Sequence, residues 1–177
     1  MSIIVFKCKK CGTCCRNLFR DRQGIREGLL LTEQETRLFP SKMISPRLGI
    51  GMKEPQEIII LYQLNINNCP HLNQKDECEI YDKRPLMCRT FPYDNVSQEP
   101  SVECTAINSP YVDVYLSSLY KAFEKEIEAS NKMERYLRKR FNNNFQKGIK
   151  VWVYDLEIMK WIMKAQHNEL PSYFEFS

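Results

Sequence analysis

Cysteine is absent beyond Cys104, histidine occurs only twice, and no hydrophobic run approaches the length of a bilayer span. The longest uncharged, apolar-leaning run, Ile58 to Pro70, is broken by asparagines, which excludes a multi-span membrane protein. His71 and His167 are the only imidazoles, and nothing in the sequence pairs either with a thiol as a base. Charge of neither sign dominates. Lys+Arg 26 against Asp+Glu 22 leaves +4, too mild by itself to argue for nucleic acid. The first residues lack a basic n-region, a long apolar h-region and a small-residue cleavage site, so a reducing cytoplasm is the expected compartment. With 177 residues, 43% hydrophobic and 27% charged, the chain suits one soluble domain, or one with a helical extension, and is neither collagen-like nor wholly disordered.

What is abundant is cysteine. Eight lie between Cys8 and Cys104. Such density means disulfides outside the cell or metal ligation inside it, and the spacing is poor for disulfides. Cys8-Lys9-Lys10-Cys11-Gly12-Thr13-Cys14-Cys15 is a CxxCxxCC run. Two intervening residues let a tight turn aim both thiolates at one ion and leave backbone N–H groups for the sulfurs. Gly12 permits the positive φ such a turn often needs. Three thiolates at this double spacing are similar to the C-x2-C-x2-C stretch of cuboidal iron–sulfur sites, without excluding zinc. A thioredoxin-like dithiol lacks its βαβ context, and a radical-type motif would want three residues between its first two cysteines.

The second group reads Cys69-Pro70-His71-Leu72, then Cys78-Glu79-Ile80-Tyr81-Asp82-Lys83-Arg84-Pro85-Leu86-Met87-Cys88-Arg89-Thr90-Phe91-Pro92, with Cys104 beyond. Together with Phe6 and the CxxCxxCC run, this resembles the zinc- or iron-chelating CxxCxxCC family often called YkgJ-type, over residues 6 to about 104. The resemblance implies a metal-binding protein, with Cys8, Cys11, Cys14, Cys15, Cys69, Cys78, Cys88 and Cys104 as the candidate ligands. They would supply two four-cysteine sites, or one cluster on Cys8, Cys11, Cys14 and a distant partner with the rest to spare. His71 beside Cys-Pro reads as a packing residue. Arg84 and Arg89 flank Cys88, where cations would offset the negative charge of a thiolate-bound cluster and raise its potential. Ordinary ion pairs with Asp82 or Glu79 are the competing role for them.

The expected fold class is α+β: a small, irregular, cysteine-rich part over 1–108 packed against a helical part over 109–177. Ile3 to Phe6 reads as a short strand. Thr32 and Glu35 form a capping box that predicts a helix over 33–39. Pro and Gly make 40–57 an irregular loop, and the β-branched run at Ile58 predicts a strand to Leu64. Ser109-Pro110 opens a helix carrying Val112, Tyr115, Leu116, Leu119, Phe123 and Ile127 on one face, continuing to a break at Asn142-Asn143-Asn144. Lys150 to Tyr154 predicts a strand, and Asp155 the cap of a last helix.

The function these readings favour is a cytoplasmic protein whose cysteines hold an iron–sulfur cluster, [4Fe-4S] in type, for redox transfer or sensing with a redox or protein partner. Zinc is the alternative metal, in a module stapled for protein or RNA binding. The basic run Arg135-Tyr136-Leu137-Arg138-Lys139-Arg140 is its best support, although such runs are more often solvated helix faces. Flagellin lysine-N-methylases share the cluster motif, so a cluster-dependent protein-modifying enzyme is a third reading. Gly49-Ile50-Gly51 sits in a Pro-rich stretch, however, and gives no strand–glycine turn–helix signature for a methylase. No membrane partner is expected.

Overall fold

The β-branched run from Ile58 forms β5 (Ile58–Leu64), and around it the chain builds a five-stranded antiparallel sheet in the order β3-β5-β4-β8-β9. The other strands of that sheet are β3 (Leu30–Leu31), β4 (Ile44–Gly51), β8 (Lys150–Asp155) and β9 (Lys160–Ala165). Two small ribbons accompany it: β1 (Arg20–Arg22) with β2 (Ile25–Glu27), and β6 (Tyr93–Asp94) with β7 (Glu99–Pro100). A five-residue helix α1 (Leu86–Thr90) and a 34-residue helix α2 (Val112–Phe145) complete the chain. This computed structural model describes residues 8–53, 58–94, 99–100, 104, 106, 112–145 and 150–165. The expected strand at Ile3, the Ser109-Pro110 cap and His167 lie outside them.

The expected partition into an irregular cysteine-rich part and a helical C-terminal part is overturned. The protein is mostly β-sheet with one long helix, and residues from both ends of the chain share the sheet. Two misread segments account for this. Residues 44–51, expected as loop, are the central strand β4, paired with β5 on one side and β8 on the other. The ladder absorbs its proline through register shifts between Pro46 and Leu48 and between Leu48 and Gly49, where a missing N–H and a bulge are tolerated. Gly49 faces Trp152 across the ladder, and the Trp152 indole N–H donates to the Gly51 carbonyl at 3.0 Å. The last helix is instead strand β9. Asp155 Oδ1 accepts the Glu157 N–H at 2.7 Å and so forms the turn of a β8–β9 hairpin, across which Tyr154 and Trp161 meet edge to face at 5.2 Å.

Packing follows the strand alternation. Val151 and Val153 of β8 turn inward with Leu48, Ile50 and Ile25 and meet Leu137 of α2. Phe123 and Ile127, further up α2, cover Tyr93 and Cys104. A third cluster, Leu18, Leu31, Phe39 and Leu64, has Cys69 and Ile80 packed against it and ties the sheet to the cysteine loops. The helix runs through Asn142–Asn144 to Phe145 without the expected break. No helix among the described residues is long and apolar enough to cross a membrane.

Gln63 is fully buried where β3, β4 and β8 approach β5. Its Nε2 donates to the Pro46 carbonyl at 2.9 Å and the Tyr154 carbonyl at 3.2 Å, and its Oε1 accepts the Gly28 N–H at 3.0 Å. Gln63→Leu strands those groups in the core. We expect a loss of about 2–4 kcal/mol in a urea unfolding titration, since each orphaned buried group costs about 1–3 kcal/mol. An unchanged midpoint would show that water or a shifted strand satisfies them.

Candidate metal centre

Three segments carry the clustered thiols. The first, from Cys8 to Cys15, turns at Lys10 (φ 54°) and Gly12 (φ 69°) before a 3-10 turn over Thr13–Cys15. Gly12 has the positive φ expected of it. A Cβ there would also meet Arg16 Nη1 at 2.7 Å, Leu72 Cδ1 at 3.1 Å and Asp76 Cβ at 3.3 Å, because this loop lies against the second segment. Two backbone bonds join the segments, Cys69 N–H to the Cys15 carbonyl at 2.8 Å and Leu18 N–H to the Asn67 carbonyl at 2.8 Å. At the rim Lys10 Nζ pairs with Glu77 at 2.9 Å and Arg16 with Asp76.

The second segment, Cys69 to Cys78, closes on itself through a bridge between Leu72 and Cys78 and a bond from Glu79 N–H to the His71 carbonyl at 2.9 Å. The third is α1, which carries Cys88. Its first free N–H, on Leu86, donates to Glu35 Oε1 at 2.7 Å. Glu35 Oε2 accepts the Thr32 N–H at 2.9 Å and Thr32 Oγ1 accepts the Glu35 N–H at 3.3 Å, so the expected capping box is present, on a 3-10 turn over Glu35–Leu38.

These segments bring Cys14, Cys15, Cys69, Cys78 and Cys88 near one another, with the Arg84 guanidinium acting on Cys14, Cys78 and Cys88. Cys15, only 7% exposed, shares sulfur hydrogen bonds with both Cys14 and Cys69. It is the thiol held protonated, its own pKa pushed far up by those bonds and by burial. The same bond lowers Cys14 to about 7 and, with the His71 backbone N–H, Cys69 to about 6. Burial pushes Cys78 and Cys88 up. Backbone N–H groups two residues on reach three sulfurs: Lys10 to Cys8 at 3.4 Å, His71 to Cys69, and Ile80 to Cys78. This recurring N–H···S turn stabilises thiolate and is the surrounding a thiolate-held metal uses.

The remaining candidates are placed differently. Cys11 Sγ lies 3.3 Å from Thr13 Oγ1 near the first turn. Cys104 is buried in the apolar cluster with Tyr93, Phe123 and Ile127 on α2. Arg84 lies over the Tyr81 ring at 3.7 Å and donates to the Tyr81 carbonyl at 2.7 Å, so the ring and carbonyl hold its charge beside the thiols. Arg89 has a buried Nε with no hydrogen-bond partner among the described residues. His71 packs on Phe39 at 5.1 Å with Nε2 2.7 Å from the Leu38 carbonyl, as a packing residue would. The pairings Lys10–Glu77, Arg16–Asp76 and Glu35–Leu86 each join residues more than fifty positions apart, so no local spacing reveals that they hold the three segments together.

Soft sulfur donors, N–H···S bonds, a nearby guanidinium and an orphaned buried donor all fit a thiolate-bound zinc or iron centre. Among the described residues no three His, Cys, Asp or Glu side chains already stand within gripping distance of one ion. Closing a sulfur shell therefore requires the thiols to rotate inward. One cavity of about 70 Å³ lies beside this region, between the sheet and α2, with Leu86 and Met87 of α1 in its wall. Its buried charges, Glu27 and Arg47, are already paired with one another at 2.5 Å.

A family model described as "CxxCxxCC: Putative zinc- or iron-chelating domain" matches residues 7–106, more than half of the chain. The protein belongs to that family and is a metal-binding, cysteine-cluster protein. Comparison with curated proteins and with solved structures returned no match.

The two lowered thiols predict a reactivity order. In protein stripped of metal by a chelator under native conditions at pH 7, iodoacetamide labels Cys69 and Cys14 faster than Cys88, because the thiolate is the nucleophile. Lowering the pH to 5.5 slows Cys14 more than Cys69, whose pKa is the lower of the two, while Cys88 stays the slowest. Peptide mapping at pH 5.5 and 7 checks this, and equal rates at pH 7 would refute the assigned hydrogen bonds.

Proposed function

We propose that the cysteine cluster holds an iron–sulfur centre used for electron transfer or redox sensing in the cytoplasm. The observation that carries the reading is the gathering of five thiols, three of them beside Arg84, with N–H···S bonds on three of the cysteines. Cys14, Cys69, Cys78 and Cys88 are the four sulfurs best placed to ligate, with Cys15 as a hydrogen-bond donor behind Cys14 and Cys69. A cluster would supply a one-electron couple. The protein's part is to keep the ligands together, shield them with Tyr81 and Pro85, and offset negative charge with Arg84 and the unpaired Nε of Arg89.

Metal and acid-labile sulfide analysis with a visible spectrum, on protein purified without oxygen, tests the reading. Iron with sulfide and broad absorbance near about 400 nm supports it. Stoichiometric zinc in a colourless protein refutes it and moves the weight to a stapled binding module. One feature favours that second reading: Tyr136 is 53% exposed on α2, with Arg140 donating to its hydroxyl at 3.0 Å, in a basic stretch able to stack a base and hold phosphate. RNA binding that weakens steeply with salt and is lost in a Tyr136→Ala variant would support it.

A further inference from the structure

Along β8 Val151, Val153 and Asp155 are buried, whereas Lys150, Trp152 and Tyr154 keep part of their surface open. Val151 and Val153 meet Leu137 of α2 and Ile25 of β2, so the open row lies on the opposite face of the sheet. The register carries that row across the neighbouring strands. Met163 of β9 stands opposite Trp152 and Trp161 opposite Tyr154, while Gly49 of β4 faces Trp152 and Ile59 of β5 faces Gly49. Both tryptophans of the chain therefore lie on this one patch. The Trp152 indole reaches over β4, where Gly49 and Gly51 have no side chains to obstruct it, and its bond to the Gly51 carbonyl holds it there. Tyr154 and Trp161 meet edge to face, which leaves ring faces on both that the pair itself does not cover. Positive charge gathers at one end. Gly51 pairs with Lys150 and Val151 with Ala165, so Lys53, Lys150 and Lys164 occupy positions at the same end of the sheet. Among the described residues the strand positions of this face carry no acid, and Glu157 on the β8–β9 turn is paired with Arg26 at 3.6 Å.

We propose that this face of β8 and β9 is a platform for single-stranded nucleic acid, with bases stacked on Trp152, Tyr154 and Trp161 and phosphates drawn to the lysine end. Flat rings beside cations match what such a strand presents. Every base has a π-face whatever its identity, and every nucleotide brings one negative phosphate. Sheets that display two or three aromatics on an open face hold single strands in this way. Trp152 and Tyr154 are two positions apart on β8, about 7 Å along the strand, so neighbouring bases can each take a ring of their own. A duplex keeps its base faces stacked inside and gains only the phosphate contacts. The platform lies on the other face of the sheet from α2, so it is distinct from the basic stretch around Tyr136. It also does not depend on which metal the cysteines hold.

The test titrates the full chain with oligouridylate and oligothymidylate of about twelve nucleotides, within the span of an extended single-strand site. Tryptophan emission, which comes only from this patch, should be quenched as either oligomer binds. Affinities of variants are read from the anisotropy of labelled oligomers. Trp161→Ala and Tyr154→Ala should each weaken binding about tenfold, while Tyr154→Phe keeps the ring and should stay within about twofold of the wild type. Lys150→Ala should lower the salt slope by about 0.7, the share of one phosphate on a single strand. A second readout needs no variant. An oligomer carrying thiouridine, irradiated with long-wave ultraviolet light on the wild-type chain, should attach to the tryptic peptides 151–160 and 161–164. Tighter binding of the uridine oligomer assigns RNA and tighter binding of the thymidine oligomer assigns DNA, each within the proposal. Attachment to peptide 136–138 instead places the strand on α2 and overturns the proposal in favour of that site. Absence of quenching by both oligomers at low salt overturns it outright. Quenching by an alternating glutamate–valine peptide but by neither oligomer makes the face a protein-docking surface, and also overturns it.

Discussion

Cys69→Ser is expected to lose metal at least tenfold in stoichiometry and to melt on the order of 10 °C below the wild type. Serine is a harder donor than thiolate and a poor ligand for zinc or iron–sulfur sites, so affinity falls first. Stability follows by mass action, because a ligand held at a thousand times its Kd contributes about 4 kcal/mol to the folded state. For a chain of this size 1 kcal/mol is about 2–4 °C in Tm. Cys69 is the most revealing position to change because it joins two of the three segments. Its sulfur shares a hydrogen bond with Cys15 and accepts the His71 N–H, while its backbone pairs with Cys15. Metal analysis and a thermal melt on the same preparation decide the matter. Full metal content with an unchanged Tm would remove Cys69 from the site.

Glu27→Ala should be nearly as damaging, for a reason unconnected with metal. Arg47 has only 3% of its side chain exposed and meets Glu27 at 2.5 Å, and Arg22 approaches the same carboxylate at 3.4 Å. Removing the carboxylate leaves Arg47 buried with the Tyr154 carbonyl at 3.2 Å as a neutral partner. Breaking a buried pair from one side typically costs about 3–5 kcal/mol. Replacing both partners, Glu27→Leu with Arg47→Met, should recover most of that, since an apolar pair of similar volume avoids the unpaired charge. Denaturant unfolding of the single and double variants measures the difference. A single variant within about 0.5 kcal/mol of wild type would mean that water reaches Arg47 when its partner is gone.

Local chemistry was legible in the sequence wherever one short stretch decides it. The Thr32/Glu35 box, the strand after Ile58 and the strand after Lys150 each follow from spacing and residue type over a few positions. Asp155 shows the limit of such signals. Its side chain does bond the backbone two residues on, as a helix cap would, but the same bond also makes a hairpin turn. Only the long-range pairing of 160–165 with β8 selects between them. Residues 44–51 fail for a related reason. Pro46, Gly49 and Gly51 signal a loop, and the flanking strands β5 and β8, contributed from elsewhere in the chain, override them. The cysteines were visible as donors, but their grouping was not. Which sulfurs face each other depends on backbone bonds such as Cys69 to Cys15, and no spacing rule encodes a contact between distant segments.

Glu35 divides its two oxygens between the turn at Thr32, next to the edge of the sheet, and the first N–H of the helix that carries Cys88. The amide protons of Thr32 and Leu86 therefore depend on the same side chain for protection. In deuterated solvent they should exchange in step, with one opening free energy, although they lie far apart in sequence. With Cys88 as a ligand, as proposed above, stripping the metal should loosen α1, and the loss of protection should then appear at Thr32 as well, outside the cysteine loops. Through one carboxylate, the loaded or empty state of the proposed centre would reach the local opening dynamics of the sheet edge.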